Sequence, residues 1–406
     1  MRVLMVSWEY PPHIVGGMGK HVLELAPALT AQKVEVHVLT PWLRGGPEHE
    51  HTPDGVYVYR VEPPPIDPYD FVNFAQQTNE ILARKARDMY GNGDFFDLIH
   101  AHDWLSAAAG VTLKHAWQLP LVATMHATER GRCQGHLGNE HSERVNGIEW
   151  WLTYEAWRVI TCSYFMADQV HDYFGIPLDK VDVVPNGINI SPNPFSSEEE
   201  KRAFRARFAA ADQPIIFYVG RIVYEKGIHI LLDAWPQILA EQPQARLIIA
   251  GTGPCLDQFK ARAWDMGLHS SVDFTGFMSD DDRNRMYFAA DIAVFPSLYE
   301  PFGIVALEAM AAQCPVVVAD TGGLAEVVRP HKTGLTVQPG SAESLAWGIL
   351  HTLAHPDWAR TRAREALGEV RNLFNWSRIA AQTKEVYERV YKEWQEGTWG
   401  NRSLQS

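Results

Sequence analysis

Short apolar runs alternate with helical stretches along most of this chain, in two successive series. The first series has runs at 1–7, 34–40, 56–61, 97–102, 121–126, 159–163 and 181–184; the second has runs at 215–219, 246–250, 272–275, 292–295, 316–319 and 335–337. The run 1–7 is continuously apolar, as in a strand covered on both faces. Strands of this kind joined by helices form an α/β structure with a mostly parallel sheet. Two such series in 406 residues exceed one ordinary core and suit two doubly wound, Rossmann-like domains. The expected division is a first domain over 1–190 and a second over 191–375, with Ser191-Pro-Asn-Pro-Phe-Ser-Ser197 as the linker. Pro63, Pro64, Pro65 and Pro68 mark a loop in the first domain, and 375–394 reads as a terminal helix.

Within the second series one stretch carries more than structure. The run 292–295 leads through the turn Leu298-Tyr-Glu-Pro-Phe-Gly303 into a helix with Ile304, Val305, Leu307 and Met310 at helical spacing. Strand, glycine turn and helix aim backbone N–H groups and the positive helix end at an anion. Glu300 precedes that helix and Glu308 lies inside it. Two fixed acceptors on either side of a phosphate-sized site suit a nucleotide sugar; a surface turn residue and a solvated helix residue would have the same spacing. Arg221 and Lys226 follow the run 215–219 and therefore sit at the ligand end of the same sheet. They are either ordinary solvated cations or a pair that stabilises charge growing on a departing diphosphate. Gly251 and Gly253 form the turn after 246–250 and could frame a nucleotide base.

In the first series a glycine loop, Gly16-Gly17-Met-Gly19, separates the first strand from a helix expected over 19–31. It is either a flexible turn or a loop whose backbone approaches a phosphate or sugar closely. It is not a dinucleotide fingerprint, and Gly19-Lys20 is not a P-loop, because His21 stands where Ser or Thr would ligate magnesium. His126 ends a strand, and its position favours a ligand pocket over a satisfied core site; Asp103, at the end of the preceding strand, is a candidate for the same pocket. The loop Thr128-Glu-Arg130-Gly-Arg132 is either a solvated basic loop or a sugar-phosphate site. Asp280-Asp-Asp282 precedes a helix expected over 283–290, where acidic residues serve capping, so a metal role is not assigned.

Composition removes several classes. A net charge of −13 with no evident basic face argues against a nucleic-acid partner. Four dispersed cysteines without a CxxC pair fit reduced thiols, neither a disulfide framework nor a zinc site. No stretch approaches the ~20 apolar residues of a membrane span, and the first residues lack a signal-peptide core, so a cytoplasmic protein is expected.

These motifs have a family resemblance. Glu300-x7-Glu308 within PSLYEPFGIVALEAMA resembles the signature of the retaining glycosyltransferases of family GT4, which have the GT-B fold. Gly220-Arg-Ile-Val-Tyr-Glu-Lys226-Gly227 looks like that family's GR-x4-KG motif, and Pro185-Asn-Gly187 resembles its inter-domain PNG motif. The stretch from Ser7 to Gly19 and His100-Ala-His-Asp-Trp104 are similar to the glycogen and starch synthase branch.

The resemblance implies a GT-B pair of domains facing a cleft, with the 376–406 segment crossing back onto the first domain. It implies catalytic roles for Glu300 and His126 at the transferred hexose and for Arg221 and Lys226 at the diphosphate. Gly16, Gly17, Gly251, Gly253, Phe302, Gly303, Ile304 and Glu308 would bind the donor, the last through its ribose. Asp103, Arg130, Arg132 and Lys20 are placed on the acceptor side. The expected reaction moves α-glucose from UDP- or ADP-glucose to a glucan, or to fructose 6-phosphate as in sucrose-phosphate synthase. A nucleotide-sugar hydrolase or epimerase on the same fold is a further alternative. No metal or other cofactor is expected, and no carboxylate nucleophile is evident, which favours front-face attack over double displacement.

Overall fold

The computed structural model describes residues 1–397 except 68, 92 and 94. Pro68 and the residues from 398 onward therefore lie outside the described part. The chain divides into two compact units, Met1–Gly187 with the segment from Trp376, and Ile188–Asn375.

The first unit is built on strands β1 (Arg2–Val6), β2 (Glu35–Pro41), β3 (His49–His51), β4 (Tyr57–Val61), β5 (Leu98–His102), β6 (Leu121–Met125), β7 (Arg158–Thr161) and β8 (Val181–Val183). Their order in the sheet is β3-β4-β2-β1-β5-β6-β7-β8. All pairs are parallel except β3 with β4. Strand β3 has no apolar run to announce it: its sequence is His-Glu-His, and its His51 stacks on Tyr57 of β4 with centroids 4.3 Å apart. A short polar strand of this kind blunts a sheet edge.

One face of that sheet is covered by the helices Gly17–Ala31 and Trp376–Glu396. Val22, Leu25 and Leu29 of the first join Ile379, Tyr387 and Val390 of the second in one core with the strand residues Val3, Met5 and Val36. The chain leaves this unit at Gly187 and returns at Trp376, and the two are in contact: a Cβ at Gly187 would lie 2.5 Å from the Trp376 ring. The glycine of the PNG motif thus makes room for an indole.

The second unit contains β9 (Ile215–Val219), β10 (Arg246–Ala250), β11 (Val272–Gly276), β12 (Ile292–Phe295), β13 (Val316–Ala319) and β14 (Leu335–Val337). Their order is β11-β10-β9-β12-β13-β14, all parallel. The strand order reverses between β9 and β12, as it does between β1 and β5 in the first unit. Such switch points are where doubly wound sheets open a crevice at the carboxyl ends of the strands.

Two sequence expectations change here. Phe195 in the linker is buried against Phe204, and Ser197 caps the helix Glu198–Arg205, so part of that stretch is anchored. The helix expected from 283 starts earlier, as Asp280–Ala289 with Ser279 as its cap. Its acidic first turn pairs with cations: Asp280 with Arg283 at 2.7 Å, Asp281 with Arg285 at 3.3 Å and Asp282 with Arg207 at 3.2 Å.

Candidate active site

In the second unit the loops after β9 and β12 meet at the switch point. Gly227 follows Lys226 with φ +71°, and a Cβ there would stand 1.9 Å from the Pro296 carbonyl oxygen. Only glycine permits that crossing. Leu298 N–H donates to the Glu225 carbonyl at 2.8 Å and fastens the loops further. The consequence is chemical: Lys226 Nζ donates to Glu300 Oε2 at 2.7 Å. Glu300 is buried, and Ser297 Oγ is 3.3 Å from the same oxygen. The Glu300 carbonyl accepts from Gly323 N–H at 2.8 Å, which ties the turn to the loop after β13.

Gly303 has φ +106° and caps the helix Ile304–Ala311. Phe302, Gly303 and Ile304 therefore lie where the first amides of a helix have no partner within it. Glu308 sits inside that helix and accepts from the Tyr287 hydroxyl at 2.9 Å, with Arg283 Nε 3.4 Å away. Burial, reinforced by the Glu308 charge, keeps the Tyr287 phenol protonated well above its usual range. Arg221 is exposed at the end of β9.

The glycines after β10 have a structural job that sequence reasoning missed. A Cβ on Gly251 (φ +135°) would be 1.9 Å from the Gly220 carbonyl oxygen, and one on Gly253 2.3 Å from that of Ile222. They press the β10 turn onto the loop that carries Arg221. Glu225, Ser297, Arg283 and Tyr287 were also missed: the first two stand inside the motifs at positions given no role, and the last two stand outside them.

In the first unit the glycine loop closes on a carboxylate. Glu9 Oε2 accepts from Val15 N–H at 2.8 Å and Gly16 N–H at 3.0 Å. The glycine that this arrangement demands is Gly19, whose Cβ would be 2.5 Å from Glu9 Oε2. Gly16 is extended, and a Cβ there would meet nothing within 4 Å. The loop thus has open space at Gly16, while its tight approach is internal. Gly17 and Lys20 lie in the first turn of the helix Gly17–Ala31.

His21 follows on that helix, and its Nδ1 is 2.6 Å from Asn186 Oδ1. His102 ends β5, and its Nδ1 is 3.1 Å from Nε2 of His126, just past β6. The His21 and His126 ring centroids are 4.8 Å apart. Burial drives His21 and His126 down to about 3, so both rings are neutral at ordinary pH. His21, His102 and Asn186 were not singled out from sequence as ligand groups.

Asp103 has a backbone partner. With φ +56°, its Oδ1 accepts from His126 N–H at 2.7 Å, so the carboxylate clamps the turn after β6. Burial raises it to about 6. Glu149, on the helix Glu140–Glu155, holds the next part of the same turn by accepting from Glu129 N–H at 2.9 Å. The basic loop is a short helix, Glu129–Arg132, capped by Thr128. It separates the two arginines. The charge of Arg132 acts on Asp103, His126 and Glu149, whereas Arg130 lies over the Tyr173 ring at 5.3 Å.

Residues 199–369 match the family model for glycosyl transferases group 1, and 15–192 match that for glycosyltransferase family 4. Over 391 residues, 95% of this chain and 98% of the relative, the chain is 40% identical to an uncharacterized glycosyltransferase of Methanocaldococcus jannaschii. It belongs to the family 4 glycosyltransferases. The enzyme is a hexosyltransferase with the two Rossmann-like units of the GT-B fold. This glycosyltransferase is also 36% identical to a glycogen synthase of Mycobacterium tuberculosis, covering 95% of this chain and 94% of that one. Among solved structures, a sucrose-phosphate synthase from Thermosynechococcus elongatus superposes with a TM-score of 0.81 at 28% identity, covering 97% and 99% of the two chains. Among the described residues no helix is long and apolar enough to cross a membrane.

Proposed function

We propose that this glycosyltransferase moves an α-glucosyl unit from UDP- or ADP-glucose to a carbohydrate acceptor with retention of configuration, as a glucan synthase of the glycogen type. The observation that carries the reading is the Lys226–Glu300 pair at 2.7 Å on the switch point of the second sheet. A cation and a carboxylate held there suit the two halves of a nucleotide sugar. Lys226 and Arg221 take the diphosphate, and Glu300 accepts from hexose hydroxyls. Amides at Phe302, Gly303 and Ile304 bind phosphate or hexose oxygens, and Glu308 takes the ribose. His126 serves the transferred hexose.

In this mechanism the C1–O bond to the departing phosphate breaks, and the acceptor hydroxyl forms the new C1–O bond on the same face. The hydroxyl proton passes to the leaving phosphate oxygen. Lys226 and Arg221 stabilise the charge that grows on the diphosphate, and this lowers the barrier because the charge is greatest at the transition state. The two cations supply what a metal would otherwise supply, so we place no metal or other cofactor in the reaction. Four dispersed cysteines without a CxxC pair support a reducing, cytoplasmic setting.

A second reading, transfer to fructose 6-phosphate, is favoured by the field of Arg132 on Asp103 and His126 and by the likeness to a sucrose-phosphate synthase. The test is nucleotide release from UDP-, ADP- and GDP-glucose with maltooligosaccharide, with fructose 6-phosphate and with no acceptor, products being analysed by mass. Elongated glucan supports the first reading. Release with fructose 6-phosphate alone supports the second. Free glucose or an epimerised donor without acceptor would overturn both. The same rates in EDTA are expected.

A further inference from the structure

We propose that His21, His102 and His126 form a binding site for a divalent cation of borderline softness, best matched by Zn2+, and that filling it stops glycosyl transfer. The rings come from three elements: the helix Gly17–Ala31, the end of β5 and the turn after β6. One ring nitrogen from each can be chosen so that all three lie within 4.8 Å of one another. His102 Nδ1 and His126 Nε2 are 3.1 Å apart. Two nitrogens bound to tetrahedral zinc at about 2.0–2.1 Å stand roughly 3.3 Å apart. Two of the three rings are thus already near a zinc edge, and the third offers a nitrogen within 4.8 Å of both.

Proximity is not the only indication. Nε2 of His21 is buried and has no partner, whereas most buried polar atoms have one. The Asn186 Oδ1 can only accept, so the His21 proton sits on Nδ1 and its Nε2 carries a lone pair. An outer oxygen that fixes the tautomer of a metal-binding imidazole in this way is a recurrent support. His100, packed on His102, differs: its nitrogens pair with the Tyr387 hydroxyl at 2.6 Å and Thr124 Oγ1 at 2.7 Å. It is a packing residue.

All three donors are imidazoles, which favours Zn2+ and its late first-row neighbours over Mg2+ and Ca2+. The surrounding charge is mixed. Asp103 holds the His126 amide beside the cluster, and the charge of Arg132 opposes a cation there; the site therefore suits reversible occupancy. Inhibition follows because the cation takes the His126 ring away from the hexose; this half rests on the placement of His126 in the transfer reaction.

Zn2+ alone is the probe, with wild type and variants in a background of His351→Ala/His355→Ala. That background removes another histidine pair, whose ring centroids are 4.3 Å apart. Calorimetric titration should give one equivalent bound, and zinc K-edge absorption should count three imidazoles. His21→Gln and His102→Gln should weaken binding at least tenfold. Asn186→Ala should weaken it by about tenfold. The wild-type absorption spectrum decides the matter even where a variant does not fold. Glycosyl transfer should fall in step with occupancy and return with EDTA. No stoichiometric binding in this background, or a spectrum dominated by sulfur, overturns the site. Three imidazoles bound with transfer unaffected supports the site and overturns the role given to His126.

Discussion

Lys226 and Glu300 meet at the switch point of the second sheet, Nζ donating to Oε2 at 2.7 Å from loops that follow different strands. The pair holds each group ready and shields both from water; their side chains are 22% and 10% exposed. Lys226→Ala should lower kcat by about 10²–10³-fold, the scale for removing one preorganised charge from a transition state. It should also lower Tm, because a buried carboxylate loses its cation. Adding Glu300→Gln should restore part of the Tm and none of the rate. Steady-state kinetics and thermal melts check this. A double variant that melts no higher than Lys226→Ala would remove the pair from the stability argument.

Gly16 and Gly19 should respond in opposite ways to alanine. Gly16 has open space beside it and an extended backbone. Gly16→Ala should leave stability within about 0.5 kcal/mol of wild type, and should raise the donor KM where that space receives the donor. Gly19→Ala drives a methyl into Glu9, which must then release the Val15 and Gly16 amides. Its Tm should fall clearly. Equal melting temperatures for the two variants would contradict this account of the loop.

The series of strands was legible because buried parallel strands demand continuous apolar runs, and 292–295 or 316–319 can be read in no other economical way. The turn before the helix Ile304–Ala311 was legible for a related reason: Gly303 at φ +106° is a backbone requirement, and such requirements leave a glycine in the sequence. Strand β3 was not, since a polar edge strand has no apolar run. The histidine cluster was not either. His21, His102 and His126 are brought together by the order β2-β1-β5-β6, a non-local arrangement that no spacing encodes. Asp103 was located at the end of β5, but its bond to the His126 amide was not foreseen, because sequence cannot show that a carboxylate faces a backbone amide.

Glu149 gives the fold a pH dependence with a definite sign. Burial lifts its carboxyl from 4.5 to about 8. The folded chain therefore keeps a proton that the unfolded chain has lost. The stability tied to this group is whole below the unfolded value and declines as pH rises toward the folded one. Glu149→Gln keeps an acceptor for Glu129 N–H and removes the titration. The wild-type Tm should thus fall more steeply than that of the glutamine variant between about pH 5 and 8. Parallel curves would show that this carboxyl does not titrate with folding.

Arg130 and Arg132 stand two residues apart and should behave differently. Arg130 covers the Tyr173 ring, so Arg130→Ala should lower Tm with little change in kcat. Arg132 is the cation whose charge reaches Asp103, His126 and Glu149. In a sugar-phosphate reading, Arg132→Ala should raise the KM for fructose 6-phosphate by at least about tenfold, the loss of a charge-assisted contact worth roughly 1.5–3 kcal/mol. In the glucan reading the acceptor carries no phosphate, and the same variant should leave its KM nearly unchanged. It should still make the fold more sensitive to rising pH, because Asp103 and Glu149 would lose the positive charge that favours their ionised forms. The kinetic arm separates the two functional readings and the thermal arm does not depend on either. An Arg132→Ala enzyme with unaltered kinetics and an unaltered pH dependence of Tm would mean that the charge of Arg132 is fully screened.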